Sequence, residues 1–271
     1  MATNEDNMDI SGKVALVTGG ASGIGKAIVE ILLRKEAKGV GIVDIDPING
    51  QEVAASLQKT FGDERIVFVT CDVTSDEELK SAFEDVKTKF GRLDIVCNNA
   101  GICNEYQPAK TIATNLTSVI TGTYLAVEFI GTQNGGNGGV VINTGSIRGF
   151  TSNPHAPVYT ATKYGVVGFS RAAAKEPNIV KNGVRVSTIC PVIVDTLMNK
   201  NVEDGVRYKA EVRQLIAETN LMPPAGVAEV VVKLIEDSRY NGCACLAYEN
   251  NSMMVVEEPD LPYCGKEKKS S

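Results

Sequence analysis

VALVTGGASGIGKAIVEIL, residues 14–32, passes from a β-branched apolar run through a glycine-rich turn into an amphipathic helical pattern. Its glycines Gly19, Gly23 and Gly25 give the spacing GxxxGxG and not the commoner GxGxxG. Glycine lets backbone N–H groups approach a pyrophosphate, and the helix N-terminus beyond offers its partial positive charge. Gly19, Ser22, Gly23, Ile24 and Gly25 are therefore candidate dinucleotide contacts. Taken alone, such a turn also serves plain strand-to-helix packing, so the surrounding chain must decide.

Outward from this unit, apolar runs alternate with amphipathic stretches from Lys13 almost to Ala247, with no internal repeat or low-complexity linker. The strand candidates are KVALVTG, VGIVDI, RIVFVTC, LDIVCN, VVINTG, VRVSTIC and the weaker CACLAY. Each is short and apolar on both sides, as a sheet covered by helices requires. Segments long enough for crossover helices separate the first six, and Ser75 ahead of Asp76, Glu77 and Glu78 reads as an N-cap. The expectation is a single α/β domain over the whole chain, a doubly wound parallel sheet of about seven strands of the Rossmann type. Residues 197–224 break the rhythm, being polar and helical in character with no strand before the next helix. Ligands of an open α/β sheet bind beyond the carboxyl ends of its strands. The excursion is a candidate substrate lid, with an ordinary surface loop as the competing reading.

Of the 271 residues, 43% are hydrophobic and 22% charged, enough to bury a sizeable core. A net charge of -6 argues against a nucleic-acid surface, which needs concentrated Lys and Arg. The basic tail KEKKSS reads as a solvated terminus. No apolar run approaches the length of a membrane span, and MATNEDNMDI is acidic where a secretory leader is basic and then apolar. A cytoplasmic protein is expected. Cys71, Cys97, Cys103, Cys190, Cys243, Cys245 and Cys264 are odd in number and lack a CxxC spacing, so buried free thiols are expected. With His155 as the lone histidine, no metal site is expected. NLT at Asn115 and NNS at Asn250 fit the glycosylation pattern, which has no meaning without a secretory route.

About twenty residues past Gly25, the second strand candidate ends in VDID, where Asp44 can accept hydrogen bonds from adenosine ribose hydroxyls. A 2'-phosphate would meet like charge there, and neither Ser22 nor Ile45 supplies a cation to offset it, so NAD is expected over NADP. A solvated strand-end acid is the bland alternative. CDV, holding Cys71, Asp72 and Val73, and NNAG, holding Asn99, follow the next strands and either grip the adenine or brace the site. Further on, VYTATKYGVVGF (158–169) puts Tyr159 four residues before Lys163, on what can be one helical face. YQPAK repeats that spacing with Tyr106 and Lys110, but Pro108 bars a continuous helix between them. Spacing alone arises by chance and decides nothing.

GGASGIG, Asp44, CDV, NNAG, Asn115 in ATNLTSV, Ser146 in INTGS and YTATK follow one another over nearly the full chain. In that order they resemble the short-chain dehydrogenase/reductase family. FGRLDIVCNNAGICNE, SVITGTYLAVEF, QNGGNGG and VYTATKYGVVGFSR are most similar to members that oxidise a lipid hydroxyl with NAD. Oxidising a secondary alcohol needs a base for the hydroxyl proton while hydride leaves the carbon. The resemblance implies that Tyr159 is that base. A free phenol, with a pKa of about 10, is ~0.1% ionised at neutral pH, and the Lys163 ammonium one turn away is expected to stabilise the phenolate. It also implies that Lys163 holds the nicotinamide ribose, that Ser146 orients the substrate oxygen, and that Asn115 supports a water leading to Lys163. Val194, Asp195 and Thr196 match the segment that touches the nicotinamide.

Two positions depart from the family pattern. Pro191-Val192 stands for Pro-Gly, and Ala156 stands where the lipid-oxidising members carry a glutamine against the substrate. Ala156, Ser146 and Tyr159 are the substrate contacts implied, while His155 either replaces the lost anchor or faces water. The resulting reading is an NAD-dependent enzyme interconverting a secondary alcohol and a ketone on an apolar or lipid-like molecule. A steroid or simple alcohol dehydrogenase and a non-catalytic NAD-binding scaffold are the alternatives. A homodimer or homotetramer built on helices near 112–133 and 157–175 is also implied.

Overall fold

The structure is a computed structural model that describes residues 7–200, 204–248 and 251–259. Cys264, Asn250, the KEKKSS tail and residues 201–203 of the excursion lie outside the described residues. Eight strands form one sheet: β1 (Val14–Thr18), β2 (Gly39–Asp44), β3 (Ile66–Thr70), β4 (Ile95–Asn98), β5 (Gly139–Thr144), β6 (Val184–Pro191), β7 (Ala244–Tyr248) and β8 (Ser252–Val255). Their order is β3-β2-β1-β4-β5-β6-β7-β8, and every pairing is parallel except β7 with β8. The expected count of about seven is thus one short. β8 is a four-residue edge strand that reverses at Asn251, whose φ of 58° is left-handed backbone that asparagine tolerates. A partly exposed run of that length carries too little apolar pattern to be read as a strand.

Helices cover both faces, led by α1 (Gly23–Arg34), α2 (Pro47–Phe61), α3 (Asp76–Phe90), α4 (Pro108–Ile112), α5 (Ser118–Ile130), α6 (Pro157–Ala173) and α7 (Pro177–Lys181). β1 shows why the chain winds this way, since all five of its residues are buried. Ala15 and Val17 face one apolar cluster with Ile28, Leu32 and Val231, while Val14 and Leu16 face another with Phe83, Val86 and Ile130. Full burial of such a side chain is worth ~1.5–3 kcal/mol, so neither face of β1 can be given to water. At α3, the Ser75 hydroxyl accepts from the Glu78 N–H at 3.2 Å, the cap expected there.

The strand order reverses at β1. The chain fills β2 and β3 on one side, then returns to lay β4 on the other, and the crossovers part at the carboxyl ends of β1 and β4. On the β4 side of this seam Asn98 of β4 donates to Asn143 of β5 at 2.9 Å, and Asn143 donates to Ser170 of α6 at 2.9 Å. Of the two roles open to the NNAG segment, Asn98 therefore braces. The excursion after β6 holds α8 (Leu197–Lys200) and α9 (Lys209–Ala217), then returns through a bridge between Val194 and Met222. It closes at Pro223, because Pro224 already opens α10 (Pro224–Glu236).

Candidate active site

A cleft of about 730 Å³ opens at the switch point, with the glycine turn at one end and the start of α6 at the other. Gly19 has a φ of +63°, which turns the backbone out of β1. A Cβ on Gly25 would stand 2.1 Å from the Gly19 carbonyl oxygen, so α1 can close on the turn only with glycine at that position. Asp44 spends one oxygen on the Ala21 N–H (3.0 Å) and the other on the Asp46 N–H (3.2 Å). Each oxygen keeps a free lone pair for a ribose hydroxyl. A bare backbone cradle, a helix N-terminus and a strand-end carboxylate in one groove fit an NAD dinucleotide.

Gly19, Ser22, Gly23, Ile24, Asp44, Ile45, Cys71, Asp72, Val73, Asn99, Val194 and Thr196 all line this cleft. Gly25 and Asp195 do not; the first packs against the turn, and the second donates its N–H to the Met222 carbonyl at 2.9 Å. The Thr74 N–H bonded to Asp72, and the Lys110 charge near it, hold the Asp72 carboxyl below the usual range. Val192, in place of the family glycine, also lines the cleft and has no positive φ, so valine fits its backbone without strain.

At the other end, α6 carries Tyr159 and Lys163 one turn apart, the Lys163 Nζ 5.5 Å from the Tyr159 ring centroid. Lys163 is buried and donates to the Thr144 carbonyl at 2.8 Å, which anchors it to the end of β5. Ser146 follows that strand, accepts the Arg148 N–H at 3.1 Å, and its hydroxyl favours the ionised form of the Tyr159 phenol. Tyr159, Lys163, Ser146 and Ala156 all face the same cleft. Tyr106 and Lys110 share no helix, since α4 begins at Pro108.

The electrostatics differ from the expected simple lowering of the phenol by its neighbour. Burial pushes the Tyr159 phenol above its ordinary pKa, and the Ser146 hydroxyl and the Arg148 charge pull it only partly back. The same burial pushes Lys163 down from 10.5 to about 8. In this enclosed site desolvation is the largest influence on each of the two groups.

Asn115 is fully buried in a single π-helical turn, Ala113–Thr117, and does not line the cleft. Its side chain accepts from the Ile102 N–H at 2.8 Å and donates to the Ile102 carbonyl at 2.7 Å, pinning the loop after β4. That burial also removes it as a glycosylation acceptor. His155 neither faces the cleft nor stands fully in water; it meets Tyr208 edge-on at 5.6 Å. Of the described cysteines, Cys71, Cys97, Cys190 and Cys245 are buried and Cys103 and Cys243 partly so, all as free thiols. Val206, Val212 and Leu215 of the expected lid and Arg148 line the cleft wall, joined there by Lys110 and Cys103, for which sequence reading assigned no role. The chemistry of neither Lys110 nor Cys103 is marked by its local sequence, and only the fold brings them to the cleft.

The model of the short chain dehydrogenase family matches residues 13–207. The 15-hydroxyprostaglandin dehydrogenase [NAD(+)] of Homo sapiens is 42% identical over 96% of this chain and 99% of its own, and that of Mus musculus 42% over 87% and 89%. Alcohol dehydrogenase 1 of Ceratitis cosyra is 27% identical over 94% of this chain and 98% of its own. Among solved structures, a short chain dehydrogenase/reductase from Burkholderia phymatum in complex with NAD shares the fold, with TM-score 0.77 at 21% identity, covering 88% of this chain and 90% of that one. The glycine turn at β1, the acid closing β2 and the tyrosine and lysine on α6 are thus met in one chain with a family match over most of its length, and the chain belongs to the short-chain dehydrogenase/reductase family.

Proposed function

We propose that this protein is an NAD-dependent oxidoreductase that interconverts a secondary alcohol and a ketone on an apolar or lipid-like molecule. The observation that carries the reading is the meeting of Ser146, Tyr159 and Lys163 on one cleft wall that continues to Asp44. Similarity to 15-hydroxyprostaglandin dehydrogenases over nearly the full chain supports a lipid-like substrate. So do Ile193, Leu197, Val206, Leu215 and Ile216 on the substrate side of the cleft.

In this scheme bound NAD supplies the hydride acceptor. Gly19, Ser22, Gly23 and Ile24 hold its pyrophosphate, Asp44 and Ile45 its adenosine ribose, Cys71, Asp72, Val73 and Asn99 the adenine end, and Val194 with Thr196 the nicotinamide end. Ser146 donates to the substrate oxygen and fixes its angle. Tyr159 takes the hydroxyl proton during oxidation and returns it during reduction. Lys163 holds the ribose and passes the proton onward, and Asn115 keeps the loop at Ile102 in register. Burial keeps the phenol protonated near neutral pH, the form that donates to a carbonyl in reduction, and disfavours the phenolate that oxidation requires.

The excursion, 197–223, acts as the lid over the substrate end, and Ala156 leaves a wider, less polar wall than a glutamine would. A simple alcohol substrate is the second reading, favoured by that missing anchor and by the Ceratitis relative. NADH formation with a prostaglandin, a steroid and a short secondary alcohol separates the two by kcat/KM. Full activity in Tyr159→Phe, or no turnover with any of the three, overturns the scheme.

No helix among the described residues is long and apolar enough to cross a membrane. We place the enzyme in the cytoplasm, as a homodimer or homotetramer joined through α5 and α6, whose Tyr124 and Tyr164 stand 45% and 46% exposed. A monomer mass by light scattering at micromolar concentration would count against the assembly.

A further inference from the structure

One buried carboxylate, Glu105, has no part in the scheme above; it is 4% exposed on the loop between β4 and α4. Its two oxygens reach across to the first turn of α6. Oε2 accepts the Val158 N–H at 3.0 Å and Oε1 accepts the Tyr159 N–H at 2.9 Å. The first N–H groups of a helix have no partner inside it, and Ala156 at the N-cap has no side chain to serve them. Glu105 supplies both acceptors and places negative charge at the positive end of the helix.

The same residue faces the excursion with its backbone. The Glu105 N–H donates to the Gly205 carbonyl at 2.7 Å, and next to it the Tyr106 hydroxyl donates to the Val206 carbonyl at 3.2 Å. Gly205 comes so near that a Cβ on it would stand 1.9 Å from the Cys103 carbonyl oxygen. Beneath this seam Cys103 packs with Val206, Val212 and Ile216.

We propose that Glu105 is a positioning residue that sets the Tyr159 hydroxyl through the first turn of α6 and transmits to it the seating of the segment around Gly205. This rests on Tyr159 as the proton-transfer group. In Glu105→Gln one acceptor becomes an NH2 that faces a backbone N–H, so the turn loses a bond and meets a like dipole. In Gly205→Ala the segment must lift from the loop while the carboxylate stays intact.

The test compares kcat, KM and NADH affinity in Glu105→Gln, Gly205→Ala, the double variant and Tyr159→Phe. A misplacement of about 1 Å can cost ~10²-fold in rate, so each single variant is expected to lose tenfold or more in kcat, on the order of that figure. NADH affinity stays within about twofold, because the glycine turn is untouched, and the double variant is no slower than the worse single one. A kcat within about twofold of wild type in Gly205→Ala, a loss confined to KM, or losses that multiply in the double variant would each overturn the proposal. Gly205→Ala leaves the helix cap chemically whole, so it decides the matter even where Glu105→Gln does not fold. An active Tyr159→Phe would instead sink the base assignment, which separates the two failures.

Discussion

Lys163→Met should abolish turnover and yet make the folded protein more stable near neutral pH. The buried ammonium has its pKa pushed down by desolvation from 10.5 to about 8. Each pKa unit is worth ~1.36 kcal/mol, so the charged form is penalised in the fold by roughly 3 kcal/mol. Methionine has similar length, needs no solvation, and forfeits the bond to the Thr144 carbonyl, a loss of about 1 kcal/mol. The net gain is about 2 kcal/mol, or about 4–8 °C in melting temperature for a chain of this size.

The sign follows from proton linkage. Below pH 8 both folded and unfolded wild type carry the proton, and the penalty is present in full. Between about 8 and 10.5 the unfolded chain binds more protons than the folded one, so wild-type stability rises with pH and the variant's lead shrinks. The chain has no tryptophan, so far-UV circular dichroism melts at pH 7, 8.5 and 9.5 are the assay. A variant that melts below wild type at pH 7, or a gap that stays constant with pH, would refute the desolvation account.

Three further outcomes are expected. Alcohol oxidation should show kcat/KM rising with pH to an inflection near 8, where Lys163 loses its proton and can take up the one Tyr159 passes on, while ketone reduction falls over the same range; a flat profile from pH 6 to 10 would contradict it. Replacing Asp44 by Ala together with Ile45 by Arg removes the acid and adds a cation where a 2'-phosphate would lie. The NAD over NADP preference in kcat/KM should then drop by about 100-fold or more, and an unchanged ratio would remove Asp44 from the ribose site. In Gly25→Ala the new methyl must find room 2.1 Å from the Gly19 carbonyl and 2.6 Å from the Asn99 amide nitrogen. A stability loss of about 1–3 kcal/mol and at least tenfold weaker NADH binding by titration calorimetry are expected, from overpacking that spreads into the turn.

The alternation of buried runs with amphipathic stretches made the sheet and its winding legible, because a strand covered on both faces must be apolar throughout, as β1 is. The local rules held too: the Ser75 cap and the break at Pro108 are decided by a few neighbouring residues. The edge strand β8 was not legible, being short and half exposed. Nor was the sign of the electrostatic effect on Tyr159. The four-residue spacing places a cation nearby, but the burial that sets the sign depends on groups from other elements.

By itself, then, the sequence determined the strand and helix alphabet, the glycine turn, the acid at the end of β2 and the pairing of Tyr159 with Lys163 on one helical face. Each of these is written within a few residues of chain, and backbone geometry translates it directly. Only the tertiary structure decided that Asn115 pins a loop without facing the cleft, that Lys163 hangs from Thr144, and that Glu105 caps the helix of Tyr159. Those contacts join elements 13 to 53 residues apart, and no local pattern encodes which distant carbonyl or N–H will be left without a partner once the core has closed.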